Sequence, residues 1–166
     1  MRFSPRAFDR FLSALVACLI LLPNAAALAD AFVPHFASLN RAKVYLRQGP
    51  GYRYRVLWEY RRKGYPVRVV ASYDAWRRIV DSDGSVGWVH QTMVTDTRTV
   101  LVIGTGRVNA HLGPDPKTPR QAILEPGVVA KLTACQPLVC KVEVDGTGGW
   151  IDRKRLWGVN AGEVFE

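Results

Sequence analysis

Three histidines (His35, His90 and His111), three cysteines and a scatter of aspartates are the side chains in this sequence that could hold a proton, a metal or a covalent bond. Their spacing assembles no reaction. Cys135 and Cys140 flank Gln136-Pro137-Leu138-Val139, which is neither the Cys-x-x-Cys of a redox pair nor half of a zinc site with a second ligand pair nearby. A turn at Pro137 sets the two cysteines opposite each other on antiparallel strands, within reach of a disulfide. A bridge closing so short a loop is worth roughly 2 kcal/mol in the chain-entropy model. With those two joined, no thiol beyond Cys18 is left to serve a Cys-His hydrolase. Gly-x-Ser-x-Gly, a phosphate-binding glycine loop, His-Glu-x-x-His and a calcium loop are all missing from the sequence. Asp81, Asp83, Asp145 and Asp152 fall mainly in turns, where aspartate caps backbone groups. The expectation is a protein with no catalytic residue, no metal and no cofactor.

Binding chemistry is better represented. The run from Tyr52 to Lys63, together with Trp76-Arg77-Arg78, interleaves aromatic rings with guanidinium groups, a mixture that holds sugars, peptides or anionic polymers by stacking, cation–π contact and bidentate hydrogen bonds. The candidate ligand-binding residues are Tyr52, Tyr54, Arg55, Arg61, Arg62, Lys63, Trp76, Arg77 and Arg78. The whole chain carries 23 Lys plus Arg against 14 Asp plus Glu, a net charge of +9. The surplus is uneven: residues 38–94 carry a net +7 and residues 99–158 a net +3. Tryptophan is also a core residue, and Trp88 and Trp150 are expected to fill small cores, with arginine stems covering other rings.

The N-terminus decides where this happens. Arg2, Arg6 and Arg10 precede an apolar run from Phe11 to Leu22, then Pro23 and the small-residue pattern Ala27-Leu28-Ala29. That is a secretory signal peptide, and its run of 12 residues falls short of the roughly 18 to 20 that span a bilayer. Cleavage after Ala29 leaves 20 basic and 13 acidic residues. Leu15-Val16-Ala17-Cys18 offers an alternative, a lipoprotein anchored through Cys18. Export places the chain in the periplasm, an oxidising compartment where paired cysteines are read as a disulfide. It also argues against nucleic acid as the partner and leaves no stable membrane insertion once the leader is gone.

The mature chain must position these residues with short elements. A length of 166 residues allows one or two small domains, at about 100 to 200 residues each. Short β-branched and aromatic stretches are punctuated by Gly, Pro, Asp and Asn, with no long helical periodicity, so the chain reads as all-β. Asp83-Gly84-Ser85-Val86-Gly87-Trp88-Val89 aligns with Asp145-Gly146-Thr147-Gly148-Gly149-Trp150-Ile151 at an offset of 62 residues. The same offset sets Val80 over Val142, and Tyr73 and Arg78 over the cysteines. Each copy runs from a strand ending at Gly-Pro, through a long loop holding the basic run, to three short strands ending after Gly-Trp. That is the plan of a small SH3-like barrel. The glycine before each tryptophan lets two backbones approach closely. The expected organisation is a signal peptide over 1–29, an N-terminal segment over 30–37, barrels over 38–96 and 97–160, and a tail over 161–166.

Leu46-Arg47-Gln48-Gly49-Pro50-Gly51, Tyr73 to Ile79, Gly87-Trp88-Val89-His90, Glu125 to Ala130, Cys135 with Cys140, Gly149-Trp150-Ile151 and Leu156-Trp157-Gly158-Val159 together resemble the bacterial SH3-like (SH3b) domains. The likeness is to the tandem type found in exported proteins of alphaproteobacteria. The resemblance implies a fold and a cell-envelope binding role, with no reaction. The family pattern has Asn before its first Arg-x-Gly-Pro segment, where this chain has Val44-Tyr45-Leu46. The expected function is that of a non-catalytic envelope module recognising peptidoglycan or another anionic ligand through a basic aromatic groove in the first barrel. The alternative is a protein-interaction subunit that docks on an envelope enzyme or complex, so the partner is an envelope polymer or a periplasmic protein.

Overall fold

The structure, a computed structural model, describes residues 32–166. The expected leader over 1–29, with Cys18, lies outside the described residues. Two antiparallel sheets of seven strands each follow one another along the chain. The first comprises β1 (His35–Leu39), β2 (Val44–Arg47), β3 (Val56–Tyr60), β4 (Pro66–Tyr73), β5 (Trp76–Val80), β6 (Val86–His90) and β7 (Val94–Thr95). The second comprises β8 (Thr99–Val102), β9 (Val108–His111), β10 (Arg120–Leu124), β11 (Val129–Cys135), β12 (Val139–Val144), β13 (Thr147–Asp152) and β14 (Leu156–Trp157). Their spatial orders are β3-β2-β6-β5-β4-β1-β7 and β10-β9-β13-β12-β11-β8-β14. Adding seven to every strand of the first gives the second, so the sequence repeat is a repeat of topology: two tandem SH3-like barrels.

Each sheet curls around its own apolar core. Leu39, Val44, Leu46, Val67, Val69, Ile79 and Val89 fill the first, and Val100, Val102, Ala110, Leu132, Cys140, Val142 and Ile151 the second. Period-two alternation places them there: along β13 the buried residues are Gly149 and Ile151, with Trp150 on the opposite side. The two glycines before tryptophan do bring strands together. A Cβ on Gly87 would stand 2.6 Å from Leu46 Cγ and 2.8 Å from the Arg47 carbonyl, and one on Gly149 would stand 2.7 Å from the His111 carbonyl.

Three sequence expectations shift. Ile79, not Val80, is the counterpart of Val142, because Ile79 faces Gly87 as Val142 faces Gly149. By the same register Ser72 and Arg77, not Tyr73 and Arg78, stand where the cysteines stand. The cause is one extra residue in the first copy's turn. Asp81 and Ser85 enclose three residues, whereas Val144 pairs with Thr147 around Asp145-Gly146 alone. Asp145 (φ 51°) and Gly146 (φ 79°) both lie in the left-handed region, as the tight two-residue hairpin turn requires. Finally, Trp88 and Trp150 are only half-buried and belong to neither core. They lie on the outer face, because the β-branched or glycine neighbours on each side take the inward positions.

Cys135 and Cys140 are bonded, as a directly opposed pair with Cα atoms 4.1 Å apart. The C-terminal segment returns to this hairpin: Phe165 exchanges both backbone hydrogen bonds with Cys135, at 2.8 and 3.1 Å. Arg98 grips Glu163 through two nitrogens at 2.5 and 3.1 Å.

The barrels meet through a buried hydroxyl pair. Ser38 of β1, only 1% exposed, donates to the Thr97 carbonyl at 2.6 Å and lies 2.6 Å from the Thr99 hydroxyl, which donates to the Gly64 carbonyl at 2.7 Å. Arg62 reaches across to the Gly127 carbonyl at 2.7 Å, and Phe36 packs edge-on against Trp157 with ring centres 5.2 Å apart.

Candidate functional site

The first barrel holds a compact aromatic cluster where β5, β6 and the loop after β2 converge. Trp76 lies directly opposite His90 in the β5–β6 ladder, with their rings edge to face at 5.4 Å. Tyr52 closes over both, 5.0 Å from Trp76 and 5.9 Å from His90. Arg47 fixes this loop by donating to the carbonyls of Tyr52 and Tyr54, each at 2.9 Å, while its guanidinium sits 5.5 Å from the Tyr52 ring. Tyr54 in turn packs over Gly49, where an added Cβ would strike the ring at 2.6 Å. Trp76 is therefore buried, 7% exposed, and Tyr52 presents the open ring of the cluster at 70%.

The arginines and lysine expected beside these rings disperse. Arg55 is exposed at the end of the loop, and Val56 to Tyr60, expected as loop, form the edge strand β3 with Trp58 59% exposed. Arg61 lines a separate cleft of about 510 Å³ with Trp58 and Arg62. There it pairs with Glu59 at 2.7 Å, and that hydrogen bond holds the Glu59 carboxyl below its usual range. The floor of this cleft is structural: Tyr60 donates to buried Asp81 at 2.8 Å, and burial together with that carboxylate pushes the Tyr60 phenol far up. Lys63 borders the small cleft between the barrels. Arg77 is held by the Asp74 and Trp76 carbonyls and the Gln91 side chain. Arg78 is exposed and opposite Trp88. Tyr52, Tyr54 and Trp76 thus come together, and Arg55 adjoins them in the chain. Arg61, Arg62 and Lys63 lie elsewhere.

A further groove, which sequence reasoning missed, is in the second barrel. It occupies about 770 Å³ beside Trp150, walled by the loop after β9 and the disulfide hairpin. Val139 and Asp152 pair there as Trp76 and His90 pair in the first barrel. Small or charged side chains thus leave open the place that the first copy fills with rings. The signal in the sequence was Gly113-Pro114-Asp115-Pro116, a loop without a bulky residue opposite the second tryptophan. His111 also borders it, and its Nδ1 donates to the Thr118 carbonyl at 2.8 Å, an acceptor-only partner that leaves Nε2 unprotonated in the neutral ring.

No curated protein matches this sequence. Among solved structures, NlpC2 from Trichomonas vaginalis is 11% identical with a TM-score of 0.35, over 75% of this chain and 48% of that one. NlpC1 from the same organism is 10% identical with a TM-score of 0.35, over 77% and 47%. An NlpC/P60 family protein from Bacillus cereus ATCC 10987 is 12% identical with a TM-score of 0.33, over 76% and 57%. The chain spans about half the length of these proteins, and likenesses so distant carry no functional argument. The family comparison is specific: the bacterial SH3 domain matches residues 40–96 and again 104–158, the stretches that hold β2 to β7 and β9 to β14. The chain belongs to the bacterial SH3 domain family.

Proposed function

We propose that this protein is an exported, non-catalytic module of the cell envelope that recognises peptidoglycan or another anionic envelope polymer through the cationic aromatic surface of its first barrel. The observation that carries the reading is the exposed run from Tyr52 to Trp58, in which Tyr52, Tyr54, Val56, Leu57 and Trp58 stand open to solvent with Arg53 and Arg55 between them. Exposed rings beside guanidinium groups stack on sugar or peptide planes while the charges attract an anionic chain. The leader over 1–29 supports a periplasmic location for such a ligand, with a lipid anchor at Cys18 as the other route. Among the described residues no helix is long and apolar enough to cross a membrane. The test is co-sedimentation of the protein with purified peptidoglycan. Tyr52→Ala with Arg55→Ala and Arg78→Ala should lower retention at least about tenfold, the effect of roughly 1.4 kcal/mol; equal retention overturns the assignment.

A second reading, a subunit that docks on an envelope enzyme or complex, is favoured by the hydrogen-bonded junction at Ser38 and Thr99, which lets both barrels present one fixed surface. Crosslinking in intact cells separates the readings, because one dominant protein partner marks docking and its absence marks polymer binding.

A further inference from the structure

The two barrels place different side chains on equivalent open edges. β3 ends one side of the first sheet and pairs only with β2, as β10 pairs only with β9 in the second. Both edge strands carry the same one-residue bulge, at Leu57 and at Gln121, so Val56, Leu57 and Trp58 stand where the second barrel has Arg120, Gln121 and Ala122. The second barrel thus guards its edge with a charge, an amide and a small side chain, and charged edges discourage pairing with other chains. The first barrel instead sets three apolar side chains in a row, 43%, 42% and 59% exposed.

The main chain of β3 is open as well. Alternate residues of an antiparallel strand point their N–H and C=O groups to opposite edges, so the side of β3 away from β2 carries unpaired groups. Among the described residues, none of Val56–Tyr60 bonds to another main-chain group outside the β2 ladder. Beside the strand lies the cleft of about 510 Å³ bordered by Trp58, Tyr60 and Tyr65, with room for a side chain. The surroundings are cationic. Arg53 and Arg55 precede β3, and Arg61 and Arg62 follow it. Arg61 and Lys43 share the one Glu59, and Arg62 keeps its charge while bonded to the Gly127 carbonyl. Of the aspartates lining the cleft, Asp81 is buried against Tyr60 and Asp83 is exposed, so positive charge prevails.

We propose that β3 is a docking edge for an extended, acidic segment of a partner protein, which adds as a strand beside it. The segment rests apolar side chains on Val56, Leu57 and Trp58 and sets its carboxylates against the flanking arginines. Charge alone accepts any polyanion. The unpaired main chain selects a polypeptide, because a peptide strand repeats donors and acceptors at the matching spacing and a glycan does not. The proposal deepens the docking reading above and rests on it for the partner being an envelope protein; the rings of Tyr52 and Tyr54, on the loop before β3, take no part in it.

The test titrates the whole protein with short synthetic peptides and follows its NMR spectrum. One peptide alternates valine and glutamate, another has lysine for glutamate, and a third is the glutamate peptide N-methylated throughout, which removes its main-chain donors. The first should give saturable shifts in the β3 amides and the Trp58 indole N–H, and should slow hydrogen exchange at alternate amides among Val56–Tyr60. The lysine peptide should not bind, and N-methylation should weaken binding at least about tenfold. Leu57→Gln with Trp58→Ala, which installs the residues of the second barrel's edge, should weaken it by a similar factor; both positions are exposed, and the spectrum itself reports that the variant is folded. Absence of binding, equal binding of either control peptide, unchanged affinity in the variant, or shifts confined to Tyr52 and Tyr54 overturns the proposal. Heparin is the glycan probe, and equal protection of β3 by heparin marks a site for any polyanion and likewise overturns it. Peptide bound on β3 with no dominant protein crosslinked in cells sinks the docking reading alone, and a crosslinked partner with no peptide on β3 sinks this edge alone.

Discussion

At the scale of single residues, the glycine before each tryptophan sets how closely the strands approach. Gly149 faces the His111 carbonyl at a distance no Cβ tolerates, and Gly87 faces both Leu46 and the Arg47 carbonyl. Gly149→Ala should destabilise by about 2–3 kcal/mol, the upper part of the overpacking range, because backbone cannot give way as a side chain can. Urea denaturation should show the midpoint fall with the slope unchanged; a shift below about 0.5 kcal/mol would show that the sheet adapts. The role of these glycines was legible in the sequence. The placement of Trp88 and Trp150 was legible too, yet was misjudged. Gly87 and Val89 point inward, so Trp88 between them points out, and the size of an indole outweighed the period of the strand. The missed groove has the same origin, since an outward Trp150 is what gives it a floor.

At the scale of elements, the disulfide hairpin and the C-terminal segment brace one another. Replacing Cys135 and Cys140 with Ser should cost about 2 kcal/mol, read as the difference in unfolding free energy between the two proteins under oxidising conditions. The hydrogen bonds from Arg98 hold the Glu163 carboxyl below its usual range, ahead of the burial that opposes them. A carboxyl whose folded pKa is depressed contributes stability above its unfolded pKa, about 4.3, and loses it as pH falls through the folded value. Glu163→Gln should therefore cost about 1 kcal/mol at neutral pH, modest because the pair is partly open to solvent. The cost should shrink towards zero as the solution is acidified below pH 4, and a difference that persists in acid would refute the ionic contribution. The sequence could not show this brace, because Arg98 and Glu163 are 65 residues apart. Nor could a fixed offset register the barrels, since one residue more in the Asp81–Ser85 turn displaces everything before it.

At the scale of the whole molecule, the buried hydroxyls of Ser38 and Thr99 couple the two barrels. The Ser38 and Thr99 hydroxyls lie 2.6 Å apart, and each also reaches a carbonyl, Thr97 and Gly64 respectively, so they join β1 and the Gly64 turn to the start of the second barrel. Ser38→Ala with Thr99→Val removes the hydrogen bonds to the Thr97 and Gly64 carbonyls, which are only partly buried, at about 1 kcal/mol each. Calorimetry should show one cooperative transition in the natural protein and two in the double variant; one transition in both would locate the coupling elsewhere. The net charge of +9 also divides at this scale, most of it on the first barrel.

The strand order carries a consequence for how such proteins grow. In each barrel the opening strand lies beside the closing one, β1 against β7 and β8 against β14. The thread enters and leaves each bead through the same side, and only Asp96, Thr97 and Arg98 pass between one bead and the next. A unit built this way can be copied head to tail without rerouting the chain. Once duplicated, each bead can change one loop without disturbing the other, as the loops after β2 and β9 already differ in their residues.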